Sequence, residues 1–156
     1  MKKISTSYLI IISLTVTAQK PTLTIFQIDS IVKIILTSDL MESLSEGEVR
    51  KKNTDINIGG FTNYFYSNGS KELLKVSSRF SVKYYDVDDY YFNEGKLIYI
   101  HTFRQKSVKH ALKFISEGHY YFHDNICFSK KGKKLSNNIN VLTERAKQLQ
   151  EEFNSQ

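Results

Sequence analysis

The side chains best equipped for chemistry are four histidines, a short acidic run, one cysteine and a lysine cluster. His119 and His123 are four apart, and on an extended strand at ~3.3 Å per residue they point the same way but sit roughly 13 Å apart. That is too far to share an ion, and His101 and His110 lie elsewhere in the chain. Zinc needs three or four converging ligands, so these histidines read as polar residues at hairpin edges. Asp86, Asp88 and Asp89 form a local acidic group. It lacks the Asp-x-Asp-x-Asp-Gly spacing and the distal Glu of a calcium loop, and reads as the solvated start of a strand. Cys127, the only cysteine, stands between Ile126 and Phe128 and reads as a small packed side chain. No Gly-x-Ser-x-Gly, His-Glu-x-x-His or phosphate-binding glycine loop occurs. The expectation is no catalytic residue, no metal and no cofactor. A hydrolase with an unrecognised site is the enzymatic alternative.

Binding chemistry has two carriers. Lys130, Lys131, Lys133 and Lys134 place four positive charges within five residues of a chain whose formal charge is +6. In an exported protein such a cluster suits anionic lipid, lipopolysaccharide or acidic glycan, with nucleic acid not expected. As a plain structural feature, it is a charged stretch that keeps a sheet edge soluble. The second carrier is a set of tyrosines, Tyr64, Tyr66, Tyr90, Tyr99 and Tyr120, joined by Lys71 and Lys75. Rigid rings with hydroxyls and nearby ammonium groups are the chemistry of many ligand-binding surfaces. The same set becomes core where a helix or a second layer covers it.

The elements that position these groups follow from a pattern that occurs three times: Tyr64-Phe65-Tyr66-Ser67-Asn68-Gly69, Tyr90-Tyr91-Phe92-Asn93-Glu94-Gly95 and Tyr120-Tyr121-Phe122-His123-Asp124-Asn125. Aromatics fit a pleated, half-buried surface, and Asn-Gly, Glu-Gly and Asp-Asn tolerate positive φ, so each copy predicts a strand running into a tight hairpin. Two-residue turns would pair Tyr66 with Lys71 and Tyr64 with Leu73, Phe92 with Leu97 and Tyr90 with Tyr99, and Phe122 with Cys127 and Tyr121 with Phe128. Strict alternation then sorts Phe61, Phe65, Leu74, Val76, Val87, Tyr91, Ile98, Ile100, Tyr121, Ile126 and Phe128 onto one face, expected to meet an N-terminal helix. It sorts Tyr64, Tyr66, Lys71, Leu73, Lys75, Tyr90, Phe92, Leu97, Tyr99, His101, Tyr120, Phe122 and Cys127 onto the other.

The apolar spacing of Ile28, Ile31, Val32, Ile35 and Leu36 predicts a helix over most of 29–44, capped at Asp29 or Ser30, with 22–28 either strand or helix. Residues 46–55 are polar. Residues 82–85 extend the strand set. Val108, Leu112 and Ile115 predict a short helix over 107–116. Ile139, Leu142, Ala146, Leu149 and Phe153 predict a terminal amphipathic helix over 137–153. The fold class is α+β: an antiparallel β-meander of about six strands packed against an N-terminal helix, with a C-terminal amphipathic helix.

The chain has 156 residues, 40% of them apolar, which is enough for one domain core without staples. Met1-Lys2-Lys3, the apolar run Tyr8 to Val16 and the small-residue site at Val16-Thr17-Ala18 predict a signal peptide over 1–18. A single domain over 19–156 follows, with no transmembrane segment, exported to the periplasm or beyond. The signal peptide, the Ile58-Gly59-Gly60-Phe61 stretch and the hairpins over 90–100 and 118–126 resemble a group of small exported proteins of Gram-negative bacteria with repeated YYF-x-x-G hairpins. The aromatic-x-x-Gly hairpins also resemble MORN repeats, although the copies here start 26 and 30 residues apart, and a true repeat array keeps its period. The first resemblance implies fold and compartment and no reaction. The expected function is a non-catalytic binding or accessory protein of the cell envelope, whose partner is an envelope glycan, an anionic surface or another exported protein. The alternative is an inhibitor or structural partner of another exported protein, acting through a sheet edge or hairpin loops.

Overall fold

A computed structural model describes residues 22–50, 57–81, 84–108, 111–135 and 138–156. The expected signal peptide lies outside the described residues. The chain runs α1 (Ile25–Thr37), β1 (Met41–Arg50), β2 (Asn57–Tyr66), β3 (Leu73–Ser81), β4 (Tyr84–Asn93), β5 (Lys96–Val108), β6 (Ala111–His123), β7 (Ile126–Lys133) and α2 (Ile139–Asn154). All seven strands form one sheet in chain order, each antiparallel to the next. The α+β meander between two terminal helices is therefore present, with seven strands in place of about six.

The extra strand, β1, takes the last residues expected of the first helix together with the start of the polar stretch 46–55. Helix α1 begins earlier than Asp29, at a capping box. The Gln27 N–H donates to Thr24 Oγ1 (3.3 Å), and the Thr24 N–H donates to Gln27 Oε1 (2.9 Å). It also stops earlier. Ser38 turns extended (φ −80°, ψ 151°), and the hydroxyls of Thr37 and Ser38 donate back to Lys33 O and Ile34 O at 3.0 and 2.7 Å. Met41 and Leu44 then belong to β1. The short helix expected over 107–116 is also replaced. Its described residues extend β5 and β6, with Ser107 opposite Leu112 and Val108 opposite Ala111. Val108 and Leu112 stay exposed, so their helical spacing marks no buried stripe.

The turns at Glu94-Gly95 and Asp124-Asn125 form as expected. Both central residues have positive φ (50° and 70°, 46° and 64°), the two-residue geometry that suits the right-handed twist of a hairpin. Phe92 faces Leu97 and Phe122 faces Cys127, as expected, and His123 faces Ile126. Beyond those pairs the register departs. A β-bulge inserts one residue, so Tyr91 faces Tyr99 and Tyr121 faces Ser129. The first hairpin has a wider loop, closed by Ser67 N–H to Glu72 O (3.0 Å) and Lys71 N–H to Ser67 O (3.1 Å), with Lys71 at φ 53°. There Tyr66 faces Leu73 and Phe65 faces Lys75, with the same extra residue between them.

The three bulges correct the sorting of faces. Val76 and Ile100 turn to the α2 side, where they pack with Tyr64, Leu73, Tyr90, Phe92, Leu97, Tyr120, Phe122, Ala146 and Leu149. Tyr99 turns to the α1 side and packs with Ile28, Ile35, Tyr91, Ile98 and Tyr121. The first aromatics of the three copies, Tyr64, Tyr90 and Tyr120, share one cross-sheet row with Val76 and Ile100. The apolar stripe expected on the terminal helix is the one that seats α2. Among the described residues no helix is long and apolar enough to cross a membrane.

Candidate functional site

The bulges leave one polar row on the α1 side of the sheet. Ser77, Asp89, His101, His119 and Lys131 are successive cross-strand partners from β3 to β7. Two residues along the strands towards the turns lies the row Lys75, Tyr91, Tyr99, Tyr121 and Ser129, whose three tyrosines are packed under α1. Two residues the other way lie Val87, Phe103, Glu117 and Lys133. Within the polar row Ser77 is buried and Asp89 largely so, while His101, His119 and Lys131 are open to solvent.

At its centre the imidazoles of His101 and His119 face each other, ring centroids 4.8 Å apart and 19° from parallel. Glu117, diagonal to His101, reaches both: its Oε1 is 3.2 Å from His101 Nε2 and 3.6 Å from His119 Nε2. On the far side of the ring, His119 Nδ1 is 2.6 Å from the Tyr99 hydroxyl. Burial raises the Tyr99 hydroxyl far above the ordinary phenol value, so it stays protonated. Burial first, then His101 and Lys131, lower the His119 pKa against Glu117 and Asp29. His119 is therefore a neutral imidazole at neutral pH, with a lone pair to offer. The side chains of His101, His119 and Glu117 are 26%, 33% and 39% exposed, open enough for a ligand to reach them.

The surroundings hold this group in place. Tyr121 donates its hydroxyl to Asp29 Oδ1 of α1 (3.1 Å), and the interaction with Asp29 adds to burial in raising Tyr121 to about 12. Lys131 lies over the Tyr121 ring at 5.5 Å. Lys75 lies 5.4 Å from the Phe65 and Tyr91 ring centres and 3.6 Å from Asp89 Oδ1. Cation–π placement of this kind keeps an ammonium on the apolar surface.

The residues expected to bind ligand are divided between environments. Tyr64, Tyr90 and Tyr120 are buried beneath α2, and Tyr64 donates its hydroxyl to Glu152 Oε2 (2.9 Å). Tyr66 is half-buried against Phe153, with ring centroids 5.4 Å apart. Tyr99 and Lys75 lie on the opposite face, and Lys71 is exposed in the first hairpin loop. The seven do not make one surface. Lys130, Lys131, Lys133 and Lys134 are exposed on the edge strand β7 and just after it, and Lys131 borders the histidine pair.

The histidine–glutamate group was not foreseen. Uninterrupted alternation from the Val108 and Ala111 pair would set His101 opposite Gly118. The extra residue at Ile115 moves His119 there instead. Reading 107–116 as strand, with one bulge, would have found it.

A second polar feature lies on the other face, in a cleft of about 440 Å³ beside α2 that includes Asp86, Asp88, Thr102, Arg104, Ser116 and Leu142. Arg104 Nε donates to Asp86 Oδ1 (2.8 Å). Burial, reinforced by Asp86, pushes Asp88 up to about 6. Comparison with family models, curated proteins and solved structures gives no match to this chain.

Proposed function

We propose that this chain is an exported, non-catalytic binding or accessory protein of the bacterial cell envelope that takes an anionic envelope glycan or surface. The observation that carries the reading is the row Asp89, His101, His119 and Lys131: polar and charged side chains from four successive strands, set side by side on a rigid sheet whose neighbouring row is covered by α1. Groups fixed on paired strands lose little freedom on binding. Lys131 ends the row at the sheet edge, and Lys133, on the same face two residues further along β7, adds to the charge that draws an anion. Export rests on the leader-like sequence of residues 1–18.

The test is retention of the purified chain on envelope fractions. Retention should weaken with added salt and disappear when Lys130, Lys131, Lys133 and Lys134 are replaced by Ala. Undiminished retention of a folded quadruple variant sinks the reading.

A second reading rests on the sheet edges. Strands β1 and β7 end the sheet, each pairing on one side among the described residues. An unpaired strand edge accepts a strand from another protein, which would make the chain a partner of another exported protein. Covalent capture of that partner through cysteines placed on β1 separates the two readings.

A further inference from the structure

We propose that His101, Glu117 and His119 bind a zinc ion, leaving at least one coordination position for water or for an oxygen of an anionic partner. Two imidazoles and one carboxylate are a donor set that zinc uses where it keeps an open position. The spacing suits it. With metal–ligand bonds of about 2.0–2.1 Å, ligand atoms at tetrahedral corners stand about 3.3 Å apart. The two edges from Glu117 Oε1 are 3.2 and 3.6 Å, and all three ligand atoms lie within 4.8 Å of one another. Only the edge between the histidines has to shorten, by up to about 1.5 Å on the same geometry. Rotation of the two partly exposed rings supplies that.

The surrounding residues fit the ion as well. A zinc-bound imidazole hands its other N–H to an acceptor that fixes its tautomer. Tyr99 stands at His119 Nδ1, so zinc selects the tautomer with Nδ1–H donated to the Tyr99 oxygen and the Nε2 lone pair turned toward Glu117. Tyr99 is itself buried, which makes it a fixed support and assigns it a positioning role. All three ligands sit on hydrogen-bonded strands β5 and β6. Asp89 stands opposite His101, and Asp29 acts on His119 from α1. Against them stand Lys131 and Lys133, opposite His119 and Glu117. A site with one ligand carboxylate and flanking ammonium groups favours a partner that brings its own negative charge. The ion thereby deepens the anionic-partner reading of this site and rests on it only for the identity of what fills the open position.

The experiment is calorimetric titration of the purified, untagged, chelator-stripped chain with zinc chloride, alongside His101→Gln, His119→Gln, Tyr99→Phe and His123→Gln. The wild type is expected to bind about one equivalent. Affinity should fall more than about 10-fold in each ligand variant and by about 10-fold in Tyr99→Phe, with no change in His123→Gln. In the wild type, the imidazole proton resonances of His101 and His119 should move together on zinc addition while those of His123 stay. This reading is independent of whether any variant folds. Absence of saturable binding, unmoved His101 and His119 resonances, or wild-type affinity in a His101→Gln/His119→Gln double variant overturns the proposal. No envelope material is present, so failure here leaves the anionic-partner reading standing. Loss of envelope retention by a chain that does bind zinc refutes that reading and leaves the ion.

Discussion

Ile98 and Tyr99, consecutive along β5, both turn toward α1 and pack in the same cluster. Two neighbouring side chains share a face only where a bulge adds a residue, and Ile98 is that residue, opposite no partner between the Phe92–Leu97 and Tyr91–Tyr99 pairs. Removing Ile98 closes the bulge and leaves every other pair of the hairpin in place, whereas removing Ile100 closes it by setting Ile98 opposite Tyr91 and Tyr99 opposite Tyr90, in the buried place of Ile100 under α2. A chain lacking Ile98 should fold, with a stability loss close to that of Ile98→Ala, about 2–4 kcal/mol. A chain lacking Ile100 should lose more, because Tyr99 would overpack the fully buried place of Ile100. Urea unfolding followed by near-ultraviolet circular dichroism checks both. Equal damage from the two deletions would mean that the core under α2 accepts Tyr99 in place of Ile100.

Gly118 lies under the ring of Tyr120, two residues on along the same face of β6. A Cβ at Gly118 would stand 2.6 Å from a carbon of that ring, and Tyr120 is fully buried with no room to retreat. Gly118→Ala should therefore cost about 1–3 kcal/mol through overpacking. In a Tyr120→Leu background the same substitution should cost much less, because the clash has gone. The double-mutant cycle, read from urea midpoints, should give a coupling of at least about 1 kcal/mol. Additive costs would place the strain elsewhere.

These two residues also mark what can be read from a sequence of this kind. The turns at 94–95 and 124–125 are legible because Glu-Gly and Asp-Asn supply two positive φ angles locally. The stripe of α2 is legible because Ile139, Leu142, Ala146, Leu149 and Phe153 recur at helical spacing. A bulge has no such local mark: Leu74, Ile98 and Phe128 are ordinary strand residues, and their doubling is decided by what packs against each face. Missing the bulges misplaced Val76, Ile100, Tyr99 and His101. Taking 107–116 as helix hid the pairing that joins His101 to His119, residues 18 apart. The candidate site was lost through register, a non-local property, and not through composition.

The α2 side of the sheet is closed by one helix, and the tyrosine row depends on it. Tyr64, Tyr90, Phe92, Tyr120 and Phe122 all pack in the cluster that contains Ala146 and Leu149. Ending the chain after Leu135 would expose this row as one apolar patch, far beyond the scattered apolar residues a soluble surface carries. Such a chain should bind a hydrophobic dye, lose cooperative thermal unfolding and self-associate. The milder Tyr64→Phe, which removes only the hydroxyl donated to Glu152 Oε2, should cost about 1 kcal/mol and bind no dye. A truncated chain that stays monomeric and unfolds cooperatively would show that the sheet holds its tyrosines without the helix.

Asp88 makes the fold sensitive to pH in the direction opposite to a salt-bridged carboxylate. Burial, with Asp86 and Asp89 adding to it against Arg104 and His101, moves its pKa from 3.8 to about 6. Below pH 3.8 the carboxyl is protonated in folded and unfolded chains alike and contributes no difference. As pH rises from 4 to 6 the unfolded chain gives up this proton first, so stability falls across that window and the full penalty stands above pH 6. Asp88→Asn removes a charge that the folded chain resists and keeps the side-chain volume. The variant should match the wild type near pH 3 and exceed it at pH 7.5 by up to about 3 kcal/mol. Urea unfolding of both chains from pH 3 to 8 measures the difference directly. A variant less stable than the wild type at pH 7.5 would mean that the ionised carboxylate is held by Arg104 strongly enough to outweigh its burial.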